Sequence, residues 1–72
     1  MNVIDKLKWL TDKENGMGIP LIVIARYSHC HPTTLGNYLR GKSQPTERLE
    51  EMINNGIKNI IKILKEKSDN NE

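Results

Sequence analysis

The sequence predicts a compact all-α domain of five helices, and three observations point that way. Apolar residues recur at three- and four-residue spacings in five separate stretches, the pattern of helices with one buried face. Prolines stand where helices would start (Pro20, Pro32, Pro45), and glycines where they would stop (Gly16, Gly41, Gly56). The β-branched run Ile22-Val23-Ile24 is the one stretch that reads as a strand, and no second candidate exists to pair with it.

The elements follow in order. Asn2 is placed to cap a first helix reaching about Lys13, with Asp5 in the first turn, where a carboxylate meets the positive end of the helix dipole. Val3, Leu7 and Leu10 form its apolar stripe, widened by Ile4. Trp9 lies off that stripe, either packing on the C-terminal segment or standing partly exposed at a contact surface. Asn15-Gly16-Met17-Gly18 ends the helix. Pro20 suits the first turn of a second helix on which Leu21, Ile24, Ala25 and Ser28 share a face, while Ile22 and Val23 leave it apolar nearly all round. His29-Cys30-His31 is a turn, Cys30 reads as a small core residue, and Pro32 opens a third helix. Leu35, Tyr38 and Leu39 face inward on it; Thr33, Gly36, Asn37 and Arg40 face outward; Gly41 stops it. Pro45 or Thr46 starts a fourth helix, with Glu47 in its first turn and Leu49, Met52 and Ile53 inside. Asn54-Asn55-Gly56 reads as a break. A fifth helix over about 57–67 carries Ile57, Ile60, Ile61 and Leu64 on one stripe, with Ile63 just off it.

Composition narrows the classes. Seventy-two residues make one small domain, expected over 1–67, with a disordered polar tail over 68–72. A chain this short buries roughly 60% of its unfolded surface, and a core this small often gains from a partner subunit or ligand. Cys30 is the only cysteine, which excludes an internal disulfide and fits a reducing, cytoplasmic setting. The N-terminus shows no signal-peptide core. The longest apolar run, Leu21 to Ala25, is five residues, far short of the ~20 of a membrane span.

Charge is the most directional feature. No Asp or Glu lies between Asn15 and Thr46, although the chain holds nine acids. Arg26, Arg40 and Lys42 therefore give this block a local charge of +3, against +2 for the whole chain. A polyanion is the simplest partner for such a surface. The outward stripe of the third helix has the residue types that a DNA major groove requires. Thr33 suits a thymine methyl or a phosphate, Asn37 pairs bidentately with adenine, and Arg40 reaches guanine or the backbone. Gly36, at about 1 kcal/mol of helix propensity, would let the helix lie close. Pro32 at the helix start leaves the following N–H groups free for a phosphate.

Residues 20–42 resemble the helix-turn-helix of the lambda-repressor and Cro family of phage and bacterial regulators. Ile24-Ala25 match its first helix, Cys30 its apolar turn position, Leu35 and Tyr38 the core side of its recognition helix, and Arg40-Gly41-Lys42 followed by Pro45 its exit. The resemblance covers about 3–53. It implies a lambda-repressor-like fold and a sequence-specific DNA-binding transcriptional regulator, a Cro-like repressor binding a palindromic operator as a homodimer. Thr33, Asn37, Arg40, Pro32, His31 and Gly36 would meet bases; Lys42, Ser43, Thr46 and Arg26 would meet phosphates. Dimerisation through a C-terminal helix, common in this family, would use Ile57, Ile60, Ile61, Ile63 and Leu64. The chain departs from the family at three places. His29 stands where Gly is usual, so a left-handed backbone is expected there at some cost, or else a different turn. Ser28 replaces an apolar residue, and Leu21-Ile22 stand where a phosphate-holding Gln is frequent.

Other chemistries are poorly served. His29-Cys30-His31 offers three possible ligands without a second set at zinc-site spacing, so no metal or other cofactor is expected. Gly16-Met17-Gly18 lacks the lysine and spacing of a phosphate loop. Ser28, His29 and Asp12 make no distinctive catalytic set, and the chain is not expected to be an enzyme. A second class stays open. A protein-binding module on the same scaffold, such as a phage inhibitor of host defence or an antirepressor, would use Ile22, Val23 and Trp9.

Overall fold

The structure, a computed structural model, describes residues 2–70. Among these residues there are four helices: α1 (Val3–Thr11), α2 (Leu21–Ser28), α3 (Pro32–Leu39) and α4 (Glu47–Asn70). No strand occurs among the described residues, which bears out the all-α class. Of the polar tail expected over 68–72, residues 68–70 continue α4, and 71–72 lie outside the described residues.

Local rules account for α1. Asn2 Oδ1 accepts from Asp5 N at 2.9 Å, the expected cap. The helix ends two residues earlier than about Lys13, because Asp12 leaves helical geometry (φ −69°, ψ 119°) and turns its carboxylate onto the next backbone donors. Its Oδ1 accepts from Glu14 N at 2.9 Å and Asn15 N at 3.1 Å, an arrangement that Asp supports in turns. The loop then folds back on the helix, with Met17 N donating to Trp9 O at 3.2 Å and Ile19 N to Leu10 O at 2.8 Å. A side chain at Gly16 would lie 2.7 Å from the Trp9 carbonyl carbon, so only glycine fits this return.

The fourth and fifth predicted helices are one. α4 runs unbroken for 24 residues through Asn54-Asn55-Gly56, and the five-helix count is corrected to four. The physical reason is a helix crossing. A methyl group at Gly56 would stand 2.8 Å from both Cα and N of Ser28 and would collide with its Oγ. Gly56 is thus buried against α2, and the glycine serves close approach, not chain reversal. Ser28 is its counterpart: it is 0% exposed, and its Oγ has no hydrogen-bond partner. Ser28 is small because α4 occupies the space. Asn54 ties α4 to α1 instead, accepting from Lys6 Nζ at 3.1 Å through Oδ1.

The core draws on every helix: Val3, Leu7 and Leu10 from α1, Ile24 and Ala25 from α2, Leu35 and Tyr38 from α3, and Ile53, Ile57 and Ile60 from α4. Leu49 and Met52, expected inside, are half-buried. Twenty-four residues make a helix about 36 Å long, in a molecule whose longest extent is 43 Å. Past Ile60 the end of α4 outruns the core, and Leu64 is 40% exposed.

Candidate nucleic-acid interface

The acid-free block folds as α2, a tight turn, α3 and an exposed loop. The turn is set by backbone hydrogen bonds at the end of α2. Cys30 N donates to Ala25 O at 3.0 Å and His29 N to Arg26 O at 3.4 Å, the paired pattern of a Schellman cap. That cap requires a left-handed residue, and His29 supplies it with φ 57° and ψ 35°. The end of α3 repeats the device with glycine. Lys42 N donates to Asn37 O at 2.9 Å and Gly41 N to Tyr38 O at 3.2 Å, with Gly41 at φ 75°. Cys30 is half-buried against the core and donates from Sγ to Ser28 O at 3.4 Å; burial pushes its thiol pKa up, away from thiolate reactivity.

His31 opens α3 as its cap, Nδ1 accepting from Thr33 N at 3.1 Å. Pro32 occupies the first turn, where its missing N–H costs nothing. Thr33 and Arg40 are exposed and Asn37 is half-buried. Two features of this face were not foreseen from the sequence. Arg40 Nη2 donates to Asn37 Oδ1 at 2.9 Å, so the two long polar side chains form one unit. Gly36, expected to be open, is buried. Its cover is the guanidinium of Arg40, whose Nη1 would lie 3.3 Å from a Cβ there. Arg40 folds back over the preceding turn, as helical side chains do. The three-residue spacing of Asn37 and Arg40 was the available clue to their pairing.

The phosphate candidates Arg26, Lys42, Ser43 and Thr46 are all exposed. Thr46 already has a structural task, since its Oγ1 accepts from Leu49 N at 3.3 Å and caps α4; the hydroxyl proton stays free to donate. Of the residues expected at a dimer seam, Ile57 and Ile60 are buried in the protein's own core, while Ile61, Ile63 and Leu64 retain accessible surface.

Two apolar grooves flank α4. One, of about 380 Å³, lies between α1 and α4; the other, of about 230 Å³, lies between α2 and the end of α4 and is lined by Val23, Tyr27, Ile63 and Leu64 among others. Ile22 is 54% exposed on α2 and Trp9 47% exposed on α1. Tyr27, which the sequence pattern did not single out, joins Val23 one turn away on the rim of the second groove. Among the described residues no group of three or more His, Cys, Asp or Glu could hold a metal ion, and no helix is long and apolar enough to cross a membrane.

Comparison with family models, with curated proteins and with solved structures finds no match to this chain.

Proposed function

We propose that the protein is a sequence-specific DNA-binding regulator of the Cro type, with α2 and α3 as a helix-turn-helix and α3 as the element that enters the major groove of double-stranded DNA. The observation that carries this reading is the acid-free block between Asn15 and Thr46. Thr33, Asn37, Arg40, Arg26, Lys42 and Ser43 all keep accessible area on one continuous stretch that contains no carboxylate. In this reading Thr33 and the Asn37–Arg40 pair meet base edges. The pair retains the Asn37 amide donors and most of the Arg40 N–H groups, a set suited to the acceptor-rich edges of purines. His31 and Pro32 approach at the helix start, and Arg26, Lys42, Ser43 and Thr46 hold phosphates. Gly36 contributes by seating Arg40, not by touching a base. A homodimer would set two copies of α3 about 34 Å apart on one face of the duplex, using Ile61, Ile63 and Leu64.

The test is selection from a random duplex pool at about 150 mM salt, run beside an Asn37→Ala, Arg40→Ala double variant. The reading expects one motif to be enriched by the wild type alone. Each lost base contact should cost on the order of 1–3 kcal/mol at its own position. Enrichment of nothing by a folded protein would remove the reading.

A second reading, a protein-binding module on the same scaffold, is favoured by the exposure of Ile22, which no DNA contact explains. It predicts that Ile22→Ser abolishes partner capture and leaves any DNA preference unchanged.

A further inference from the structure

The α1–α4 groove has a chemistry that the DNA reading leaves unused except at Ile61, which that reading gives to a dimer seam. It is lined by Lys6, Trp9 and Leu10 on one side and Ile57, Lys58 and Ile61 on the other, with Asn54 at one end. None of these residues belongs to α2 or α3. The α4 wall spans Asn54 to Ile61, two helical turns or roughly 10 Å. Both charged residues in the lining are lysines, and no acid lines the groove. The surroundings on α4 carry the same sign, while the charges on α1 around it cancel. α1 adds Lys8 against Asp5, and α4 beyond Asn54 carries Lys58, Lys62, Lys65 and Lys67 against Glu66 up to residue 67. The acids Glu47, Glu50 and Glu51 are confined to the first turns of α4, before the groove begins.

We propose that this groove is a docking site for an amphipathic helix that carries carboxylates beside its apolar anchors. A two-turn apolar furrow fits anchors at i, i+3 or i+4, and i+7 on such a helix. Trp9, with its indole half exposed on the rim, supplies a large rigid surface of the type that dominates protein interfaces. Lys58 and Lys6 meet the flanking carboxylates. Lys6 spends one N–H on Asn54 and has two more to give. A second copy of this chain is disfavoured as occupant: the apolar face of its α4 (Ile53, Ile57, Ile60) is already buried in its own core, and the later half of that helix is lysine-rich. The site stands whether or not α3 reads DNA, because the two use different helix faces.

The probe is a synthetic three-turn helix with leucines at the anchor spacing and flanking glutamates, beside a twin with lysines in place of the glutamates. Trp9 is the only tryptophan, so its fluorescence reports occupancy, and amide shifts map the surface. The expected result is saturable binding of the glutamate peptide, with shifts on α1 and the second half of α4, and much weaker binding of the lysine twin. Lys58→Glu, at an exposed position, should weaken the glutamate peptide roughly two- to tenfold. The comparison of the two peptides on the unaltered protein does not depend on that variant folding. No binding of the glutamate peptide, equal binding of both peptides, or shifts on α2 and α3 would overturn the proposal. So would sedimentation showing a dimer that Trp9→Ala dissociates, since a second copy would then fill the groove.

Discussion

Replacing Gly56 by alanine sets two helix effects against each other. In an isolated helix the substitution stabilises by about 1 kcal/mol, because alanine loses less backbone entropy. In this fold the added methyl stands 2.8 Å from Cα and N of Ser28 and against its Oγ. The hydroxyl can rotate, but Cα and N are backbone, so α2 and α4 must separate along a crossing that also buries Ile24, Ile53 and Ile57. Overpacking of this kind costs about 1–3 kcal/mol, and rigid neighbours place it in the upper part of that range. The net expectation is a loss of about 1–2 kcal/mol, or a fall in melting temperature of about 5–15 °C for a domain of this size. Urea denaturation followed by circular dichroism measures it. Ser28→Gly in the same background removes Cβ and Oγ but not the backbone, and should restore only part of the loss. Asn55→Ala is the internal control. Asn55 is exposed within the continuous helix, so alanine there should stabilise by about 0.5 kcal/mol. A rise in stability for Gly56→Ala would refute the close crossing. A fall for Asn55→Ala would mean that the chain does turn at these residues, as the sequence pattern alone had suggested.

The remaining predictions concern the turn, the first loop and the two surfaces. His29→Gly should stabilise by about 1 kcal/mol, the relief of a left-handed non-glycine residue, with the helical content unchanged; a loss would mean that the imidazole itself holds the turn. Asp12 accepts two backbone N–H bonds, from Asn15 and Glu14, which hold its pKa below the usual carboxylate range. The unfolded chain therefore binds that proton first. The contribution is present above the ordinary carboxylate pKa and is lost as pH falls through the lower folded value, so Asp12→Asn should flatten the acid limb of a stability–pH curve. The Asn37→Ala, Arg40→Ala variant should lose motif selection while keeping its fold, because neither residue is buried in the core and their side-chain hydrogen bond is to each other. Lys58→Glu should weaken an acidic amphipathic helix and leave DNA selection as it is.

How much could be read from the chain depended on the range of the interaction. The helix starts were legible because caps are local. Asn2 and His31 each bond to a backbone N–H two or three residues ahead, and any sequence window that long contains the whole arrangement; Thr46, read as a helix start and a phosphate contact, proves to be the cap of α4. The left-handed turn at His29 was legible as a cost, and Cys30 as a small core residue, for the same reason. The inward faces of α1, α2 and α3 followed from spacing, since apolar stripes bury wherever a core forms. On the candidate interface, the exposure of Thr33 and Arg40 was legible from that periodicity. The union of Asn37 with Arg40 and the covering of Gly36 were not, because periodicity gives the direction of a side chain and not the rotamer it folds into.

The sequence by itself therefore determined an all-α chain, its first three helices, the cap at Asn2 and its acid-free block, all consequences of backbone preference and charge within a few residues. Only the tertiary structure decided that Asn54-Asn55-Gly56 lies inside a helix, that Ile57 and Ile60 serve the core, and that a lysine-rimmed groove opens beside Trp9. A glycine among asparagines has the same local preference at a break and at a crossing. The difference lies in Ser28, 28 residues away in the chain and in contact across the core. Packing against that neighbour outweighs a helix-propensity cost of about 1 kcal/mol.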